Sequence, residues 1–208
     1  MTAASITPVV GLQAAFLEGS IVTQLGPGFL ARFHSAALVH DSSRAFVAFD
    51  DNDEVAGFAL GTVDVHRFNA YMKPRVLPST IRALLSPTRI GLLGSLVRMV
   101  LEGEPQPPMP AELLLLVVHP RSRRCGIGRS LLVALESAFA REGIGQYRVA
   151  ARSRLAVARA FYEALAFEHE QDRTVLGQPM VYLTKRVEGE REPSGTAERD
   201  KRQPGSGH

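Results

Sequence analysis

The chain holds one cysteine and no tryptophan in 208 residues. A single thiol cannot close an internal disulfide, so a packed core must hold the fold, and this fits a reducing, cytoplasmic setting. The six histidines show no paired ligand spacing, so no metal site is expected. No apolar run reaches the roughly 18 residues that a membrane-spanning helix needs. The N-terminus, Met1-Thr2-Ala3-Ala4-Ser5, lacks the basic region and apolar segment of a secretory signal. Charge of one sign is also scarce. The formal net charge is only +3, and the arginines cluster locally, so nucleic-acid binding is not expected.

What is present is an ordinary globular composition with 45% hydrophobic residues, enough for one domain over residues 1–187. Residues 188–208 are charged and rich in Gly, Pro and Ser, and are expected to be a disordered tail. Ile6–Val10 reads as a short first strand, followed by a short helix and a loop. Gly26-Pro27-Gly28 breaks the chain, and Phe29–Val39 has helical spacing. Ala45–Phe49 and Val55–Val63 read as two strands around the turn cluster Asp50–Asp53. Residues 66–111 then intervene. They hold a basic loop with Lys73 and Arg75, amphipathic stretches at Ser79–Leu85 and Ile90–Leu101, and the proline-rich connector Pro105–Pro110.

The most informative stretch is Glu112–Ser130. Leu113–Val118 is continuously apolar, which predicts a strand buried on both faces. His119-Pro120 ends it, because proline cannot donate to a ladder. A loop with Arg121, Arg123, Arg124, Cys125, Gly126 and Gly128 follows, and it opens onto a leucine-rich helix from about Arg129 to Arg141. A glycine loop, a helix N-terminus and several arginines together predict a pyrophosphate cradle. Beyond it, Gln146–Ala151 reads as a strand and Ala156–Leu165 as a helix. Glu168–Thr174 and Pro179–Lys185 read as a closing hairpin around Gly177.

Arg123-Arg124-Cys125-Gly126-Ile127-Gly128 resembles the acetyl-CoA loop of the GNAT N-acetyltransferases, whose signature is Gln/Arg-x-x-Gly-x-Gly/Ala. Val55-Ala56-Gly57-Phe58 is similar to the Val-x-Gly-Phe of that family's hairpin. Phe161-Tyr162 through Phe167 is similar to its Phe-Tyr-x-x-x-Gly-Phe, with Ala166 in place of the usual glycine. The resemblance implies an α/β fold: a mixed, mostly antiparallel central sheet flanked by helices, with splayed central strands. It puts a helical insertion, residues 66–111, between strands three and four, and makes that insertion a candidate acceptor-site lid.

The same resemblance implies acetyl-CoA as cosubstrate and a primary amine as acceptor, a small molecule such as an amino sugar. A peptide N-terminus, or a non-catalytic acyl-CoA-binding role, is the alternative. Arg123, Arg124, Cys125, Gly126, Ile127, Gly128, Arg129 and Ser130 would hold the pyrophosphate. The main chain of Leu116, Val117 and Val118 would bind the pantetheine arm. Tyr162 would be the general acid. Glu112 is a candidate general base, with Asp64, His66 or a water-mediated route as the others. The Glu and Asn that relatives acetylating ribosomal-protein N-termini carry near Ala150 and Leu155 are absent, which argues against that subgroup. Cys125 lacks the histidine and carboxylate partners of a covalent nucleophile. The stretch 88–101 reads as a helix packed on the domain, with an acceptor-site lid, a homodimer contact and a membrane-surface helix as its functional alternatives.

Overall fold

Ile6–Val10 is not a strand. In a computed structural model describing residues 1–17, 21–84, 109–175 and 178–187, it begins helix α1, Ile6–Phe16. The β-branched residues suggested extension, but Val9, Leu12 and Gln13 fall three and four apart and are buried together. Val9 and Leu12 pack on Phe58 and Val117 of the sheet, and that packing overrides local propensity. A short helix α2, Ile21–Gln24, leads to α3, Pro27–Val39, with Pro27 at its first turn.

Strands β1, Ser43–Phe49, and β2, Val55–Thr62, form the expected hairpin. Asp50 Oδ1 accepts the N–H groups of Asn52 and Glu54 and shapes the turn. Helix α4, Val65–Leu84, comes next, and it corrects the expectation of a basic loop at Lys73 and Arg75. It continues through Pro74 and Pro78, which lie on the exposed side. The carbonyls those prolines leave without a helical donor can therefore bond water. Val65, Phe68 and Met72 on the other side are buried, and Phe68 and Met72 pack with Ala37 and Leu60. Because Ile6–Phe16 is helical, the inserted segment follows the second strand of the sheet rather than the third. The stretch Ile90–Leu101, residues 105–108, Gly177 and the tail 188–208 lie outside the described residues.

Strand β3, Glu112–Val118, is followed by α5, Ile127–Arg141, and β4, Gln146–Arg152. Helix α6, Ala156–Glu163, and strands β5, Glu168–Val175, and β6, Gln178–Arg186, complete the described chain. The six strands lie in the order β1-β2-β3-β4-β6-β5, antiparallel except at β3–β4. One face carries α1, α3 and α4 over β1–β3. The other carries α5 and the end of α6, where Leu131, Leu135, Phe139, Tyr162 and Phe167 pack on Leu113, Tyr147, Val149, Val181 and Leu183. The continuous apolar run of β3 is therefore explained, because both of its faces are covered. No helix among the described residues is long and apolar enough to cross a membrane.

Candidate active site

Strands β3 and β4 part almost as soon as they meet. They pair only at Glu112–Arg148 and Leu113–Val149, and Leu114–Val118 pairs with no residue of β4. On its other edge β3 pairs with β2, where Leu60 meets Leu115 and Gly61 meets Leu113, so Leu114 is an extra, bulged residue. After the bulge Leu115 and Val117 turn toward α1 and α4, while Leu116 and Val118 pack on the α5 side. The result is a wedge between two parallel strands, open toward Val118 and walled by main chain at Leu116–Val118.

The loop that follows sits at the open end. Gly126 has φ +81°, a left-handed backbone that side chains resist, and it serves as the N-cap of α5. No side chain caps that helix. The first-turn N–H groups of Ile127, Gly128 and Arg129 therefore point out without a helical acceptor, next to the positive end of the dipole. The Ser130 N–H and hydroxyl both donate to the Gly126 carbonyl and tighten the turn. A Cβ on Gly128 would lie 3.1 Å from the Phe161 ring, so only glycine lets α6 lean this close to the loop.

The arginines divide between two tasks. Arg121 is ion-paired with Glu54 and Asp50 and ties the loop to the β1–β2 turn, a role that about 70 residues of separation hid in the sequence. Arg123 Nε donates to the Val118 carbonyl at 3.3 Å and anchors the loop to the end of β3. Arg124, at φ +64°, and Arg129 project from the exposed rim. Cys125 is exposed and its thiol donates only to the Arg123 carbonyl, at 3.5 Å. His119 Nδ1 accepts the Arg121 N–H, and its ring meets Phe16 edge-on. The loop thus brings together all the expected residues from Arg123 to Ser130.

Tyr162 lies at the end of α6 between the rings of Phe161 and Phe167, at 5.3 and 5.0 Å. Burial pushes its phenol above the ordinary tyrosine value. Its hydroxyl has no hydrogen-bond partner among the described residues. Such a group keeps its proton at neutral pH and can donate it.

Glu112 lies at the closed end of the wedge, half-buried, on the face opposite α5. Its Oε2 accepts from Arg148 Nε at 3.0 Å and Nη2 at 2.8 Å. Arg148 is 1% exposed and the pair spans β3 and β4 at the first of their two common registers. An arginine among Val149, Ala150 and Ala151 was the visible signal of a buried pair, and sequence reasoning passed over it. Glu112 stands four residues, ~13 Å of strand, before Leu116. Asp64 is not placed as a base: its Oδ1 accepts the Arg67 N–H and caps α4, and His66 is exposed beside it. A cavity of about 590 Å³ against the C-terminal half of α5, lined by Glu136, Ser137, Arg141, Thr184 and Lys185, contains none of the expected site residues.

The family model described as Acetyltransferase (GNAT) family matches residues 23–167. A search of curated proteins finds no match. Solved structures share the fold. The crystal structure of SsHAT superposes with a TM-score of 0.67 at 22% identity, covering 90% of this chain and 96% of its own. The PaiA N-acetyltransferase of Thermoplasma acidophilum, in complex with coenzyme A, gives 0.58 at 14% identity over 89% and 95%. Naa20 of Chaetomium thermophilum, in complex with a bisubstrate analogue, gives 0.54 at 16% identity over 90% and 84%.

Proposed function

This chain belongs to the GNAT acetyltransferase family, and from that premise we propose that it moves the acetyl group of acetyl-CoA directly to the primary amine of a small molecule. The observation that carries the reading is the uncapped N-terminus of α5 at the open end of the β3–β4 wedge. Anion-binding N–H groups and a main-chain-lined slot are adjacent there, and a diphosphate joined to an extended amide arm requires both. The residues present fit that group. A Cβ on Gly126 would meet nothing within 4 Å, so the N-terminus of α5 is open in front, and the rim carries Arg124 and Arg129.

Acetyl-CoA, when bound, supplies an activated thioester that an amine can displace. The chain's own residues then divide the work. The Ile127, Gly128 and Arg129 N–H groups hold the pyrophosphate, with Arg124 and Arg129 adding charge. Main-chain groups of Leu116–Val118 bind the arm as an added strand would, and an N–H near Val118 polarises the acyl oxygen. Tyr162 holds the proton that the departing sulfur takes up. The amine's proton leaves through water on the side of Glu112, whose Oε2 is occupied by Arg148 Nε and Nη2 and is therefore a weak direct base.

Calorimetric titration with acetyl-CoA tests the reading, with dephospho-CoA and free CoA as controls. Micromolar binding is expected, and Gly126→Glu should abolish it by putting bulk and negative charge against the pyrophosphate. No binding by the native chain at millimolar ligand overturns the proposal.

A further inference from the structure

The two glycines of the cofactor loop serve different ends. Gly126 takes a left-handed backbone, φ +81°, and a Cβ there would meet nothing within 4 Å. Gly128 lies inside α5 and is not among the glycines of positive φ. Its backbone is ordinary helix, where alanine is the better residue. What faces it explains the glycine. A Cβ on Gly128 would lie 3.1 Å from Cζ and 3.2 Å from Cε2 of Phe161, and 3.6 Å from Val118 Cγ2. That direction leads into the packing with α6, not into the open space in front of Gly126.

Phe161 thus joins two parts of the site. One edge of its ring rests on Gly128, in the turn whose N–H groups face the pyrophosphate. The same ring meets that of Tyr162 edge-on at 5.3 Å. Phe161 and Tyr162 are consecutive on α6, Ala156–Glu163, so a shift of that helix carries both. The first turn of α5 has a second seat on β2. A Cβ on Gly57 would lie 3.3 Å from Ile127 Cγ2 and 3.2 Å from Leu131 Cδ1. The two helices are not equally anchored. Helix α5 buries Leu131, Leu132, Leu135, Ala138 and Phe139, whereas α6 buries Tyr162 alone. Pressure at the Gly128–Phe161 contact is therefore relieved by movement of α6, and the cradle on α5 stays in place.

We propose that Phe161 is a positioning residue for the acetyl transfer: seated on Gly128, its ring spaces α6 from the cofactor loop and so fixes where Tyr162 stands relative to the bound thioester. This rests on the acetyltransferase reading above. It assigns Gly128 to the fit of α6 rather than to room for the pyrophosphate. An alanine Cβ at 3.1 Å requires the ring to withdraw by a few tenths of an ångström. A misplacement of ~1 Å costs about 10² in rate, so this one costs about three- to ten-fold.

The test makes Gly128→Ala in two backgrounds of the full chain, native and Phe161→Leu, each grown with 3-fluorotyrosine. The chain has four tyrosines, and Tyr162→Phe identifies the fluorine resonance of Tyr162. In the native background Gly128→Ala should shift that resonance and leave those of Tyr71, Tyr147 and Tyr182 in place. It should lower kcat for acetyl-CoA cleavage about three- to ten-fold, with calorimetric acetyl-CoA affinity within about two-fold of native. In the Phe161→Leu background, where the shorter side chain leaves room for the methyl, the same substitution should move neither the resonance nor kcat. A Tyr162 resonance unmoved by Gly128→Ala in the native background overturns the proposal. So does an equal effect in both backgrounds, or a loss of affinity as large as the loss of kcat, which would assign Gly128 to the ligand. The fluorine readout needs no acceptor, so it decides the matter without turnover. Failure of the native chain to bind acetyl-CoA marks failure of the acetyltransferase reading itself.

Discussion

At Ala166 a residue with a Cβ holds a left-handed backbone, φ +61°, where α6 ends and the chain turns into Phe167. The Phe167 N–H donates to the Tyr162 carbonyl and the Ala166 N–H to that of Glu163, so the turn closes the helix as a glycine would. Left-handed geometry costs a non-glycine residue about 1–2 kcal/mol, while the extra freedom of glycine in the unfolded chain gives back about 0.4–1 kcal/mol. The first term is larger. Ala166→Gly should therefore raise stability by roughly 0.5–1 kcal/mol, read as a higher denaturant midpoint at unchanged slope. Tyr162, four residues earlier, gives a chemical prediction. Tyr162→Phe keeps the ring packing against Phe161 and Phe167, so acetyl-CoA affinity should hold while kcat falls by about 10²–10⁴. In the native enzyme burial holds the phenol protonated, so the alkaline limb of kcat should lie above the ordinary tyrosine value of ~10. Native kcat in Tyr162→Phe across the pH range would make the residue structural.

Among the elements, α1 and α3 are joined by a polar pair inside an apolar contact. His34 Nε2–H donates to Gln13 Oε1 at 2.6 Å, with both side chains at or below 1% exposure. The His34 ring meets Phe33 and Phe58 edge-on. Desolvation lowers its pKa from 6.5 to about 4. A lowered folded value means that the unfolded chain takes up a proton first. Stability is full above about pH 6.5, falls as pH drops toward 4, and levels off below that. By this linkage the loss between pH 7.5 and pH 5 is about 2 kcal/mol. Urea unfolding at the two pH values checks it, and His34→Leu combined with Gln13→Leu should remove most of the difference. The same elements show where sequence reading erred. Ile6–Val10 has strand-like residues, and Pro74 and Pro78 are helix breakers, yet both segments are helical. In each case the buried side is set by contacts with Phe58, Leu60 and Ala37, residues distant in the chain.

The whole molecule is organised by the wedge, and one ion pair closes its narrow end. Glu112→Gln would leave the Arg148 guanidinium buried with its main acceptor weakened, at a cost of about 3–5 kcal/mol. Glu112→Leu with Arg148→Met should recover most of that stability. If the pair only pins the strands, the double variant should also recover kcat. If Glu112 helps carry the acceptor's proton, kcat should stay low and its acid limb should change.

The sequence by itself determined the local features: the hairpin turn at Asp50–Asp53, the end of β3 at Pro120, the glycine loop, the start of α5 and the position of Tyr162. Each follows from a few neighbouring residues whose backbone preferences and spacing act over one turn or one strand. Only the tertiary structure decided that Arg121 serves the β1–β2 turn, that Arg148 locks Glu112, and that Phe161 rests on Gly128. Strand register and helix packing bring those groups together across tens of residues, and a side chain's partner is fixed by that register rather than by its neighbours in the chain.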